Sequence, residues 1–307
     1  MKPPAAAHAD SAEVRSYHRL QQRRVDARLE NVMPPADTYP GIVHEAMRYS
    51  LFAGGKRVRP ALALATAEAL DGDEETSLQL ACALELIHTY SLIHDDLPAM
   101  DDDDYRRGMP TSHRKFGEGN AILAGNGLMT LAFQLLAEMP GTAVPDSVKL
   151  QVITHLCRAI GTSNGLIGGQ VMDLLSQGKA YTEKEVRYIH SCKTGALIEA
   201  SVSTAALLCM APGSARQRLS AYARQIGLCF QIVDDLLDVE GSQSELGKGS
   251  QKDALLEKAT YPALLGVRRS HEIADRLVRQ ATREVSFLGS RARMLMGIAA
   301  FISSRRY

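Results

Sequence analysis

The sequence has no surplus of charge of either sign. Its 35 lysines and arginines balance 35 aspartates and glutamates over 307 residues, so it lacks the basic excess that a nucleic-acid partner requires. A local anion site stays open to it. It has no CxxC pair: Cys82, Cys157, Cys192, Cys209 and Cys229 are odd in number and sit inside apolar stretches. They read as reduced core residues of a cytoplasmic protein. The opening MKPPAAAHAD lacks the apolar core of a signal peptide, and residues 1–10 are expected to form a disordered tail. No segment holds about 18 uncharged apolar residues, so no transmembrane segment is expected. No stretch alternates with period two, and the apolar runs are too long for strands. Nor does any composition shift mark a linker. These absences leave one all-α domain over residues 11–307, a single-domain bundle of about ten helices around a central cavity.

What is present is acid, and it is concentrated. Leu92 to Gly108 reads LIHDDLPAMDDDDYRRG, with Asp95, Asp96 and Asp101 to Asp104 followed by Arg106 and Arg107. The run before it, Leu78 to Ile93, is mostly apolar and free of helix breakers, so it predicts a buried helix. Buried carboxylates at such a helix end need cations to keep their charge. Carboxylate oxygens suit hard divalent ions, and Mg2+ usually completes its shell with water and substrate phosphate. Two arginines beyond add a planar fork for phosphate oxygens. Taken alone the run also fits a solvated acidic loop. A second copy shifts the balance: Gln231 to Val239 reads QIVDDLLDV. There Asp234 and Asp238 share a helix face, with Gln231 one turn earlier. Two acidic clusters facing each other across a bundle, holding a polyphosphate through metal, are the first inference.

Other stretches bear on it. GGKRVRP sets Lys56, Arg57 and Arg59 beside a glycine pair, where the backbone approaches a ligand closely; the same pattern also serves as a helix C-cap. Pro98 breaks the first aspartate helix, so Asp95 and Asp101 need no single straight helix to meet. Lys193-Thr194-Gly195 interrupts an apolar helix, and a lysine there either snorkels or faces an anion. Gly161, Gly165, Gly168 and Gly169 crowd a segment ending GGQVMDLL, either a kinked core helix or a close approach to ligand. Thr76 or Ser77 is expected to cap the first aspartate helix. Thr182 with Glu185 forms a capping box. Helices are expected over Leu219 to Val239, Tyr261 to Leu288 and Ser290 to Arg306, with a polar loop from Glu240 to Lys258.

In order, GGKRVRP, IHTYSLIHDDLPAMDDDDYRRG, KTGAL, FQIVDDLLD and KATYPALLG resemble the trans-isoprenyl diphosphate synthases, within them the bacterial farnesyl (geranyltranstransferase) group. The likeness runs unbroken from about Met47 to the C-terminus. It implies an all-α isoprenoid-synthase-type fold, a homodimer, isoprenoid diphosphate substrates and three Mg2+ ions. By position it implies that Asp95, Asp96 and Asp101, opposite Asp234, Asp235 and Asp238, hold the metal. It assigns Gly55, Lys56, Arg59, His88 and Arg107 to isopentenyl diphosphate. Arg106, Lys193, Lys248 and Lys258 fall to the allylic diphosphate, with Thr194 and Gln231 near the reacting carbons. His94 reads as packing. Asp95, Asp101, Arg106, Lys193 and Asp234 carry the chemistry in this reading.

Tyr90 lies five residues before Asp95, about 7.5 Å down the helix axis. An aromatic ring there floors the allylic tunnel, and in the family it goes with a C15 product, farnesyl diphosphate. The nearest alternative is geranylgeranyl diphosphate from the same chemistry. A terpene cyclase normally has Asn, Ser and Glu in its second motif, and a non-catalytic subunit typically loses one motif. The chain departs from the family at Gln251, at EGSQSE and in its SRRY ending.

Overall fold

The computed structural model describes residues 8–176, 179, 181–245 and 260–304, the stretch 241–245 as backbone only. In chain order the helices are α1 (Ser11–Val32), α2 (Gly41–Leu51), α3 (Val58–Ala69), α4 (Glu74–Asp95), α5 (Ser112–Phe116), α6 (Glu118–Ala137), α7 (Asp146–Ile160) and α8 (Leu166–Ser176). Then come α9 (Glu183–Ile189), α10 (Ala196–Leu208), α11 (Gly213–Glu245), α12 (Tyr261–Leu265), α13 (Val267–Val285) and α14 (Arg293–Ser303). A π turn, His190–Gly195, runs from α9 into α10, and a 3-10 stretch, Ser286–Ala292, joins α13 to α14. Strand among the described residues is a two-residue hairpin, Tyr105–Arg106 against Met109–Pro110. The all-α expectation holds, with more breaks than ten helices allow.

Those breaks have local causes. Gly266, with φ 80°, stops the helix expected over Tyr261 to Leu288 after one turn. The cap of α4 is Asp73, whose carboxylate accepts from the Thr76 N–H at 2.9 Å, rather than Thr76 or Ser77. The Thr182–Glu185 capping box forms as expected. The second aspartate helix is longer than Leu219 to Val239 and passes Glu240 without breaking. Lys248 and Lys258 lie outside the described residues. Of the tail expected over residues 1–10, residues 1–7 lie outside the described residues, and the last two belong to the fold: Ala9 is buried, its N–H bonds to the Arg293 carbonyl, and Asp10 caps α1.

Packing follows the apolar patterns. α4 has Leu80, Ala81, Leu84, Leu86 and Ile87 all buried, as an all-round apolar helix must be. Two cores result. One gathers Tyr222, Ile226 and Ile232 of α11 with Ala281 and Leu295. The other gathers Leu84 and Ile87 of α4 with Leu51, Leu128 and Leu136. Neighbouring residues on α3 (Leu62, Leu64) and α10 (Ile198, Leu197) turn to opposite cores and so tie them together.

By length and composition alone two helical stretches, α6 and Val267–Ser303, reach the apolarity of a membrane span, a test that buried core helices also pass. α6 has no charge between Glu118 and Glu138. Its inner residues Ala121, Leu128 and Ala132 are buried, as are Val285 and Leu295 of the second stretch. Cys157 is exposed, not a core residue; Cys82, Cys192 and Cys229 are buried, and none of the five is in a disulfide.

Candidate active site

The end of α4 builds the first acidic wall. After Asp95 the chain turns at Pro98 and comes back, because the Asp101 N–H donates to the Asp95 carbonyl at 2.8 Å. Six residues of separation thus collapse into neighbours. Asp96 is 4% exposed and accepts from Arg106 Nε at 2.6 Å. Arg106 also reaches Asp103 at 3.2 Å. Lys193 Nζ lies 2.6 Å from Asp173 and 3.7 Å from Asp101. Burial pushes the Asp95 carboxyl up to about 7, against the pull of Lys193, with Asp101 adding to the rise. Asp96 is raised by burial as well, opposed by its bond from Arg106.

A basic cleft of about 700 Å3 opens beside this wall. Gly55, Lys56, Arg59, His88, Arg106 and Arg107 line it, with Thr194, Gln231 and Asp234. Its geometry starts at the glycine pair. Gly55 has φ 144°, and a Cβ there would come within 2.7 Å of Arg107, so the guanidinium lies where a side chain would be. Arg107 also donates to the Gly54 carbonyl, reaching back from a turn in left-handed backbone (Arg107 φ 55°, Gly108 φ 76°).

Arg57, grouped with Lys56 and Arg59 in the sequence, departs from that grouping. Its own left-handed backbone, φ 45°, turns it inward to Asp26, Glu85 and the Leu51 carbonyl, 2.7–2.9 Å away. It is structural, and a buried ion pair of this kind is costly to break from one side. Arg59 Nε and Glu85 Oε2 are buried without partners. Burial lowers Arg59 to about 10, still a cation at neutral pH. Burial and then Arg59 and Arg107 hold the His88 imidazole well below 6.5. An orphaned guanidinium nitrogen and a neutral imidazole among arginines suit an oxyanion ligand.

The second wall is α11 faced by the π turn, an irregularity that often marks a functional site. A Cβ on Gly169 of α8 would collide with the backbone of Lys193, and one on Gly227 would meet Gly195 at 3.0 Å. Small residues therefore let both helices press on the turn, which projects Lys193 toward the first wall and Thr194 into the cleft. Asp234 lines the cleft, and Asp238 sits exposed one turn on. Asp235 departs from the metal set read in the sequence. It is 5% exposed, and its oxygens accept from Gln231 Nε2 at 3.0 Å and the Tyr261 N–H at 3.2 Å.

Tyr90 is 6% exposed and packs edge-on against His94 at 5.7 Å. It is not among the residues that line the cleft. Two residues were missed in the sequence. Gln170 donates to Asp101 at 3.4 Å, and Asp173 pairs with Lys193. Both lie in GGQVMDLL beside the glycine pair. Their i, i+3 spacing on an apolar helix was the available signal.

The donor set fits a hard divalent ion, since Asp95, Asp101, Asp173 and Asp234 offer only carboxylate oxygen. Among the described residues, no three acidic or imidazole groups stand close enough to hold an ion unaided. A metal that takes one or two carboxylates and fills its shell with water and phosphate matches that spacing.

The family model described as polyprenyl synthetase matches residues 40–288. The chain belongs to that family. Its relatives agree on the chemistry and differ in product. It is 48% identical over 267 residues to a geranylgeranyl diphosphate synthase of Cyanophora paradoxa, covering 87% of this chain and 88% of the relative. It is 49% identical over 233 residues to the farnesyl diphosphate synthase of Geobacillus stearothermophilus, covering 76% and 78%. A crystal structure described as an FPP/GFPP synthase from Zymomonas mobilis superposes with a TM-score of 0.85 at 35% identity, covering 95% of this chain and 99% of that one. The protein is accordingly a prenyltransferase acting on isoprenoid diphosphates.

Proposed function

We propose that this prenyltransferase joins isopentenyl diphosphate to dimethylallyl or geranyl diphosphate and stops at farnesyl diphosphate. The observation that carries the reading is the shared cleft. Lys56, Arg59, His88 and Arg107 occupy one side, and Thr194, Gln231 and Asp234 the other. The basic side fits the diphosphate of isopentenyl diphosphate. Asp95, Asp101, Asp234 and Asp238 would hold Mg2+, which supplies positive charge to the allylic diphosphate as it leaves. Arg106 and Lys193, paired here with Asp96 and Asp173, are then free to turn to the departing oxygens.

The allylic C1–O bond breaks, and its electron pair goes with the pyrophosphate. The isopentenyl π electrons close the new C–C bond to C1. The neighbouring carbon loses a proton, which the pyrophosphate accepts. Charge complementarity to the leaving group is the largest catalytic contribution in such sites.

The C15 limit rests on Tyr90 as floor. Most similar relatives are geranylgeranyl diphosphate synthases, and that C20 product is the second reading. Radiolabelled isopentenyl diphosphate with C5, C10 and C15 primers, with and without Mg2+, decides between them. The expected result is C15 product from the C5 and C10 primers and no use of the C15 primer. Tyr90→Ala is expected to add at least one C5 unit; an unchanged product ladder removes Tyr90 as floor.

A homodimer also fits. Ile122 and Leu123 of α6 and Leu150 of α7 are 41–64% exposed, apolar side chains that a second copy of this chain would cover. Sedimentation should return twice the 33.4 kDa chain mass, and Leu123→Glu with Leu150→Glu should return that mass itself. Five cysteines without a disulfide suit a reducing compartment such as the cytoplasm.

A further inference from the structure

Behind the Thr194 and Gln231 face of the cleft runs a line of polar contacts that ends on a buried acid. Thr194 Oγ1 donates to Gln231 Oε1 at 2.8 Å. Gln231 Nε2 donates to Asp235 Oδ1 at 3.0 Å. The other oxygen, Oδ2, accepts from the Tyr261 N–H at 3.2 Å and lies 3.4 Å from His190 Nε2. The His190 ring stacks on Tyr261 with centroids 5.4 Å apart. His190 and Asp235 are each 5% exposed. Because His190 Nδ1 is buried without a partner, the contact with Asp235 assigns the imidazole proton to Nε2.

Burial raises the Asp235 carboxyl to about 7, opposed by the bonds from Gln231 and the Tyr261 N–H; in its ionised form it only accepts, whereas the amide of Gln231 can turn either way. With Asp235 behind it, Gln231 must aim its NH2 backward and its carbonyl forward. The carbonyl then claims the proton of the Thr194 hydroxyl. We propose that His190 and Asp235 are positioning residues: they lock the Gln231 amide so that Thr194 turns its lone pairs, not its proton, toward the substrate. The inference rests on the reaction proposed above, in which ionisation builds positive charge on the allylic carbon. Oxygen lone pairs stabilise that charge, and a hydroxyl proton in the same place opposes it. Asp235 thus serves the reaction from behind the cleft and is no metal ligand.

Asp235→Asn separates the alternatives. Oδ2 accepts from the Tyr261 N–H and lies 3.4 Å from His190 Nε2, so the new NH2 takes the Oδ1 place and faces Gln231. Gln231 then flips and donates to Thr194, whose proton turns into the cleft. Expected are a tenfold or greater fall in kcat, KM values within threefold, and more prenyl alcohol per condensation as water captures the cation. Mg2+ binding with inorganic pyrophosphate, followed by calorimetry, should stay within twofold. Thr194→Val should show the same loss, and adding Asp235→Asn to it should cost little more. His190→Ala should repeat the effect, while His190→Gln, whose Nε2 sits near the imidazole Nε2, should recover to within threefold of wild type. That pair keeps the test open should Asp235→Asn not fold. A tenfold loss of Mg2+ and pyrophosphate affinity in Asp235→Asn makes Asp235 a ligand and overturns the proposal. Additive losses with Thr194→Val, or equal rates for His190→Ala and His190→Gln, also overturn it. A wild-type enzyme that binds Mg2+ and pyrophosphate yet condenses nothing refutes the assigned reaction instead.

Discussion

The two acidic walls have similar sequences and opposite construction. The first lies at and just past the end of α4, on a turn closed by backbone hydrogen bonds from Asp101 to Asp95 and from Met100 and Asp102 to Leu97, with its carboxylates paired to arginine and lysine side chains. The second lies inside an unbroken helix and is braced from behind by Gln231, Tyr261 and His190. The first can exchange its partners when metal and diphosphate arrive; the second presents Asp234 from a fixed frame. A site that must both capture and ionise its substrate gains from one adaptable wall and one rigid one.

The largest effect should come from removing one ligand at each wall. Asp95→Asn and Asp234→Asn are each expected to lower kcat about 10²–10³-fold, measured as radiolabel incorporation at saturating Mg2+. Full rate in Asp234→Asn would leave the second wall outside the chemistry.

An effect on stability rather than on rate tests what supports the first wall. Arg57 and Glu85 are each 2% exposed, so Arg57→Leu strands a buried carboxylate on α4. The expected cost is about 3–5 kcal/mol in denaturant unfolding, and a loss below about 1 kcal/mol would mean that water enters and solvates Glu85.

The smallest concerns the second wall. Burial alone would raise Glu199 of α10, but hydrogen bonds from His155 and from Ser220 of α11 outweigh it and hold the carboxyl below its usual 4.5. A lowered carboxylate stabilises the fold above that value and loses the contribution as pH falls through the folded pKa. Glu199→Gln should therefore cost about 1–3 kcal/mol at pH 7 and progressively less below pH 4.5. A cost that did not change with pH would reassign the effect to shape alone.

Much of this was legible in the residues. Apolar runs without breakers announced the helices, and Pro98 announced the end of α4, because both follow from local backbone chemistry. The aspartate pairs with Arg106 and Arg107 pointed to a polyphosphate site, whereas Lys56, Arg59 and His88 also fitted a helix cap or a buried structural role and were assigned to the cleft through the family resemblance. The orientation of neighbours within a motif was not legible. Arg57 and Arg59 differ by two positions and both border the cleft, yet Arg57 is held by Asp26, Glu85 and the Leu51 carbonyl while Arg59 Nε is buried without a partner. The same divide separates Asp234 from Asp235, and it hid Gln170 and Asp173 behind their glycines.

Period and chemistry along the chain thus determined the all-α class, the two acidic helices and the phosphate-seeking cations, because each depends on contacts between residues close in sequence. Tertiary structure alone decided which acid faces the cleft, which arginine is structural and where the π turn aims Lys193 and Thr194. Those outcomes depend on partners many tens of residues away, such as Glu85 for Arg57 and Tyr261 for Asp235, and no local pattern encodes them.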